Sequence, residues 1–285
     1  MCFAPFFGTG SSTFNFEGIT SAAQETKQDC NITSLSINVT KELGKSDSCM
    51  DTSNMKPDLD NILVMPITLK SNIHDEFEDG IYDLDIDAIS PNGKWRGIGD
   101  GHGAMGVKTD EDGNNVFFLN PKAAERKNDT YSSLVRSVNN FTDFELTLNI
   151  RTDKQLRLNE PPNSWEAGWV FFRYGDTFHY YWLVLKSDGV ELGKKDCNNC
   201  VDPFMGQIFL KELEDPALQI GNWSTWNIQV IGNRIKVSID GNQLVDYMDT
   251  TMSEKLRGGA IALYSEDADV VYDNVSINPL TNSTR

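Results

Sequence analysis

Basic residues are scarce in this chain: Lys and Arg number 25 against 42 Asp and Glu, a formal net charge of -17. A surface of that sign repels phosphate backbones, which excludes nucleic acid as a partner. Long apolar runs are missing too. The longest, such as 169–172 and 261–264, are strand-sized, far short of the roughly 18–20 residues that span a bilayer. Histidine is nearly absent. His74, His102 and His179 are scattered, with no HExxH and no second CxxC beside Cys197 and Cys200, so zinc and redox cofactors find no ligand set. Helical periodicity hardly occurs; 121–126 and 251–256 offer a turn or two at most.

What the chain does have is alternation. Residues 1–60 are rich in Ser, Thr, Asn and Asp and read as a polar N-terminal extension with little core of its own. From 61 the texture changes. The run 62–69 is strand-like, with Pro66 confining it to an edge or a bulge. The stretch 144–151 alternates strictly, as does 235–239, which enters Asp240-Gly241 and returns through 243–245; that is a hairpin with the residues a type I′ turn requires. Gly232-Asn233 marks another hairpin turn after 226–231. About a dozen such strands predict an all-β, two-sheet antiparallel sandwich over 61–278, followed by a tail at 279–285.

The sequon N-X-Ser/Thr occurs at Asn31, Asn38, Asn128, Asn140, Asn222, Asn274 and Asn282. Glycosylation requires export, which predicts an extracellular or cell-surface glycoprotein. Five cysteines agree: Cys197 and Cys200 fit a small loop disulfide, Cys30 and Cys49 bracket a polar loop, and Cys2 is left over. The opening residues 1–7 are too short and too uncharged for a complete signal peptide, so the start of the gene product is expected upstream.

Several blocks carry a family likeness: Asp75-Glu76-Phe77, 141–146, 169–174 with 180–185, 189–194, 223–230 and the closing 271–277. In order and spacing they resemble the concanavalin A-like lectin/glucanase superfamily of jelly rolls, especially its laminarinase-like and 3-keto-glycoside-hydrolase-like branches. The resemblance spans residues 73–278 and implies a jelly-roll fold. It leaves activity open, because this fold hosts lectins, hydrolases, lyases and adhesion modules.

Three sites come under consideration. The first is Asp83-Leu84-Asp85-Ile86-Asp87, which as a strand would put three carboxylates on one face. It is similar to the Glu-x-Asp-x-Glu strand of laminarinase-like glycosidases but has Asp throughout and lies earlier in the chain. The second is an aromatic platform for sugar rings: Trp165, Trp169, Tyr174, Tyr180 and Trp182 fall within eighteen residues, together with Arg173. Flat rings take the apolar C–H faces of sugars. Alternation predicts that Trp169, Phe171 and Arg173 share the groove side, with Val170, Phe172 and Tyr174 behind. Glu166, His179 and Glu191 are the acid–base candidates there. The third is calcium, which the resemblance implies on the convex side, held by an Asp of the last strand and backbone carbonyls near the domain start. Asp273 matches that Asp, Asp75, Glu76, Asp79 and Gly80 are expected partners, and 266–269 offers another acidic cluster.

The leading expectation is thus a secreted, calcium-stabilised, glycan-binding sandwich whose partner is a polysaccharide or surface glycan. A glycoside hydrolase or polysaccharide lyase is the enzymatic alternative. The third is a filament or sheath subunit that self-assembles through its extension, with 62–69 added to a neighbour's sheet.

Overall fold

The structure, a computed structural model, describes residues 72–126, 129–201 and 205–280. The readings for the extension, the 62–69 strand, Cys2, Cys30, Cys49, Asn31, Asn38, Asn128 and Asn282 lie outside the described residues.

The strands are β1 (Ile73–Asp75), β2 (Tyr82–Asp83), β3 (Trp95–Gly99), β4 (Ala104–Thr109), β5 (Asn115–Asn120), β6 (Ser132–Ser137), β7 (Phe144–Gln155) and β8 (Gly168–Asp176). They continue with β9 (His179–Lys186), β10 (Gly189–Asp196), β11 (Gln207–Leu213), β12 (Ser224–Ile231), β13 (Arg234–Ile239), β14 (Asn242–Met248), β15 (Ala260–Glu266) and β16 (Ala268–Pro279). Among the described residues one 3₁₀ turn, Glu254–Leu256, interrupts them. Among the described residues no helix is long and apolar enough to cross a membrane.

Two antiparallel sheets face each other. One runs β14-β13-β12-β7-β16-β5-β4-β2, with β1 also on β16; the other runs β11-β10-β9-β8-β15-β6-β3. The first sheet obeys the alternation read from the sequence. On β7 Phe144, Leu146, Leu148 and Ile150 point inward and are at most 3 % exposed, opposite Trp226, Ile228 and Val230 of β12. Across the gap they meet Val170, Phe172, Tyr181 and Leu183 in one continuous core. Burying each such side chain contributes about 1.5–3 kcal/mol. The predicted hairpins are present: Asp240 (φ 51) and Gly241 (φ 77) take the two left-handed positions of the turn between β13 and β14.

A buried ion pair ties the sheets at one edge. Lys194 of β10 gives Nζ to Asp249 Oδ2 at 2.8 Å and to Thr251 O and Oγ1 at 3.0 and 2.9 Å. Tyr181 OH donates to the same Oδ2 at 2.7 Å.

The second sheet departs from simple alternation, since β8, β9 and β10 are buried on both faces. Its outward face carries an apolar layer of its own: Ala167, Trp169, Phe171, Tyr174, Trp182, Val184, Ala260 and Ala262, with Trp165, Tyr180 and Tyr264 packed against it. This outward layer is where a site can be built.

The expected carboxylate strand does not form. Only Tyr82–Asp83 is extended. Leu84 turns into the core, and Asp87 takes φ 64. Asp83, Asp85 and Asp87 are all exposed, but regular strand ends at Asp83, so the three acids do not lie on one continuous strand.

Candidate functional site

Pairing register lays out the outward face as rows. Glu191, Val184, Trp169 and Tyr264 are successive cross-strand partners from β10 to β15. The next row holds Phe209, Gly193, Trp182, Phe171, Ala262 and Arg136. Gly193 is needed there because the Trp182 indole lies over it; a Cβ would sit 2.1 Å from Trp182 Cζ2. The indole is also tied by Nε1 to Glu191 Oε1 at 2.9 Å and met edge-on by Phe209 at 5.8 Å. Phe171 stacks on Tyr180 at 4.5 Å and on Tyr264 at 4.6 Å. Trp169 meets Tyr264 edge-on at 5.8 Å. Packing of this kind leaves Trp182 1 % and Trp169 9 % exposed. These two form a floor, while Trp165, Tyr180 and Tyr264 keep half-buried edges.

Arg173 does not share that face. The β8–β9 register breaks between Phe172 and Asp176, and Arg173 takes φ 50. This bulge spends one residue without advancing the alternation. Tyr174 is therefore carried to the outward face, beside Phe171 and Tyr180. Arg173 turns to the end of the sandwich, where Nε and Nη2 donate to Thr142 O at 3.0 and 2.9 Å and Nη1 to Leu256 O at 3.2 Å. It is 2 % exposed with Asp143 at 3.4 Å, a structural clamp and not a groove residue.

The three acid–base candidates do not converge either. His179 is buried, with Nδ1 2.9 Å from Asp176 Oδ1 and Nε2 3.3 Å from Asn198 Oδ1. Glu191 is spent on Trp182 and on Lys186 Nζ at 3.0 Å. Glu166 accepts from Arg157 Nε and from Asn163 Nδ2 at 2.7 Å, while its Oε2 is buried without a hydrogen bond.

Around Glu166 gathers a buried group that takes in Glu266 and Asp267 of the acidic run 266–269. Arg157 Nη2 also reaches Asp267 Oδ2 at 2.9 Å. Asp267 forms the turn between β15 and β16 with φ 44. Beside it Glu266 accepts from Tyr264 OH at 2.7 Å. Burial, aided by the neighbouring Asp267 and Glu166, pushes the Glu266 carboxyl up to about 7. Asp267 rises to about 6, chiefly through burial. Besides the acidic run 266–269, the sequence signal was period 2, which places Tyr264 and Glu266 on one side of β15.

The expected calcium ligands do not form one site. Asp273 Oδ2 accepts from Asn114 Nδ2 and Asn274 Nδ2, both at 2.9 Å. Asp75 is committed to Trp95 Nε1 at 2.7 Å and to Asn92 and Lys94. Glu76 is exposed, with Oε1 3.2 Å from His74 Nε2. Among the described residues no three His, Cys, Asp or Glu side chains are grouped to hold a metal ion. The donors fit amide and indole partners, and they do not fit the oxygen cage calcium takes. One disulfide, Cys197–Cys200, closes the loop after β10 as its spacing predicts.

Residues 87–278 match the model of the 3-keto-alpha-glucoside-1,2-lyase-like domain, about two thirds of the chain. The chain belongs to this family. Together with the two-sheet sandwich, that places it in the concanavalin A-like jelly-roll superfamily. No curated protein matches it. Among solved structures, it is similar to the carbohydrate-binding module CBM66 from Bacillus subtilis: 17% identity, 68% of this chain and 99% of that one, TM-score 0.46. A Bacillus licheniformis beta-glucanase gives 12% identity over 75% and 100% of the chains, TM-score 0.45. The exoplasmic/lumenal domain of VIP36, in a form bound to Ca2+ and Man3GlcNAc, gives 10% over 73% and 93%, TM-score 0.47.

Proposed function

We propose that this member of the 3-keto-alpha-glucoside-1,2-lyase-like family binds a polysaccharide or surface glycan on the outward face of the β3–β11 sheet. One observation carries the reading: that face is an aromatic layer with half-buried Trp165, Tyr180 and Tyr264 at its surface. Half-buried Arg136 on the neighbouring strand and the Tyr180 and Tyr264 hydroxyls are the polar groups beside the rings. Rings supply apolar area for sugar C–H faces, and the polar groups supply the directional bonds that orient the hydroxyls.

Binding is favoured over turnover, because Glu166, His179 and Glu191 are each engaged by structural partners and do not meet as an acid–base pair. A glycoside hydrolase or lyase using those three has no assembled dyad to draw on. Calcium has no part in the reading. An extracellular or cell-surface site of action accompanies it, supported by the exposed sequons Asn140, Asn222 and Asn274 and by the Cys197–Cys200 disulfide. Self-assembly through the extension rests on residues outside the description and is left with the sequence.

Affinity electrophoresis through gels containing laminarin, dextran sulfate or polygalacturonate tests the proposal. At least one polymer should retard the protein, and Trp165→Ala with Tyr180→Ala should abolish the retardation while both variants melt cooperatively. Unretarded migration in all three gels defeats it.

A further inference from the structure

Eight arginines fall among the described residues. Arg126, Arg151, Arg157, Arg173, Arg234 and Arg257 each sit in an ion pair with a carboxylate. Arg96 and Arg136 make no ion pair among these residues, and they are direct cross-strand partners on β3 and β6. Both are half-buried. Arg96 donates Nη1 to Asp87 O at 3.3 Å, a neutral carbonyl. Arg136 has no hydrogen bond among the described residues.

That arrangement is unexpected in a chain where 42 acids outnumber 25 bases. Like charges placed directly opposite on adjacent strands destabilise a sheet, and a carboxylate neighbour would be easy to supply. Asp85 and Asp87 lie exposed in the loop that runs along β3, yet neither pairs with Arg96. The two guanidiniums also extend the aromatic row. Arg136 is the partner of Ala262, and Ala262 of Phe171, so two strand spacings of about 4.8 Å each separate Phe171 from Arg136. Their strand faces agree: Trp95 and Val135 beside them belong to the core, which leaves Arg96 and Arg136 on the outward side. Tyr174 is close enough to Arg136 to feel its charge. The small Ala262 leaves room between ring and cation.

We propose that Arg96 and Arg136 form an anion subsite of the aromatic face, which takes the carboxylate or sulfate group of an acidic glycan while its sugar ring lies toward Phe171, Tyr180 and Tyr264. The inference rests on the glycan reading above and narrows its ligand to an anionic one. Planar guanidiniums suit both groups, because their N–H donors match paired oxygens. The attraction is local: with a net charge of -17 the protein as a whole repels a polyanion.

The test is affinity electrophoresis of the full chain in gels containing polygalacturonate, dextran sulfate or neutral laminarin. Polygalacturonate reads the carboxylate source and dextran sulfate the sulfate source. At least one polyanion should retard the wild type, and Arg136→Gln should weaken that retardation about tenfold or more. Arg96→Gln should weaken it too, which keeps the test decisive should the first variant fold poorly. Arg234→Gln, the same charge change on the other sheet, should match wild type. Raising the salt from 0.1 to 1 M shortens the screening length from about 10 to 3 Å and should release the polyanion. Equal retardation of Arg136→Gln, Arg96→Gln and Arg234→Gln would overturn the subsite. Retardation by laminarin alone would also overturn it while leaving the glycan reading intact. No retardation in any gel would remove both.

Discussion

The buried Lys194–Asp249 pair allows a stability prediction with a worked magnitude. Both side chains are at most 1 % exposed, and they join β10 of one sheet to the segment after β14 of the other. Substituting Asp249→Asn keeps the shape but only one acceptor oxygen, so it cannot serve both Tyr181 OH and Thr251 N, and it leaves the buried ammonium with only the more distant Asp196 Oδ2, 3.8 Å away, as its remaining carboxylate. Breaking such a pair from one side costs about 3–5 kcal/mol. At 2–4 °C per kcal/mol for a domain of this size, the melting temperature should fall by roughly 6–20 °C. Adding Lys194→Met removes the stranded charge, so the double variant should recover most of the loss. Thermal and urea melts of wild type, both single variants and the double variant would give the coupling energy directly. The pH dependence has a definite sign. Burial alone would raise the Asp249 carboxyl, but hydrogen bonds from Lys194, Tyr181 and Thr251 outweigh it and hold it below its ordinary 3.8. Its contribution is therefore complete above that value and is lost as pH falls through the lower folded value. A loss under about 1 kcal/mol for Asp249→Asn, or a double variant as unstable as the two single losses added together, would refute the reasoning.

Glu266 has the opposite sign. Its carboxyl rises from 4.5 to about 7 on folding, so its stability contribution is whole below 4.5 and disappears as pH climbs through 7. At 1.36 kcal/mol per pH unit, Glu266→Gln should stabilise the protein by on the order of 3 kcal/mol at pH 8.5 and barely at pH 4; parallel stability–pH curves for the two proteins would contradict this. Gly193→Ala should cost about 1–3 kcal/mol by overpacking, because its Cβ meets the Trp182 ring at 2.1 Å. It should also change the near-ultraviolet circular dichroism of that indole, and an unaltered spectrum would count against the flat-lying ring. Chelation with EDTA should leave the melting temperature unchanged, since Asp273, Asp75 and Glu76 have other partners; a drop of several degrees restored by calcium would refute this and show a calcium site on the folded protein.

Much of the architecture could be read from local pattern. Strict alternation on 144–151 and 235–239 follows from one wet and one buried face, and it survived folding because the register shifts beside those spans put their extra residues on the partner strands β16 and β14. Asp240-Gly241 and Gly232-Asn233 announced their turns because few residues tolerate a positive φ. Cys197 and Cys200 are so close in sequence that their pairing needed no tertiary information. The order of the blocks over 73–278 was enough for the superfamily.

Other features were decided only in three dimensions. Alternation assigned Arg173 to the groove and Tyr174 to the core, and a single bulged residue exchanged them. A period of two cannot carry its phase past an inserted residue, and nothing in Phe172-Arg173-Tyr174 announces the bulge. Three acids spaced two apart looked like a strand face at 83–87, but the strand ends at Asp83 and Asp87 adopts a positive φ. Arg96 and Arg136 are forty residues apart, and Arg157 lies more than a hundred from Asp267. Such pairs are set by strand order and register, which arise from the packing of two whole sheets and leave no local trace in the chain. The sequence alone therefore established the kind of sandwich this is. The tertiary structure decided which side chains share its outward face, because a face is defined by neighbours across strands and not along them.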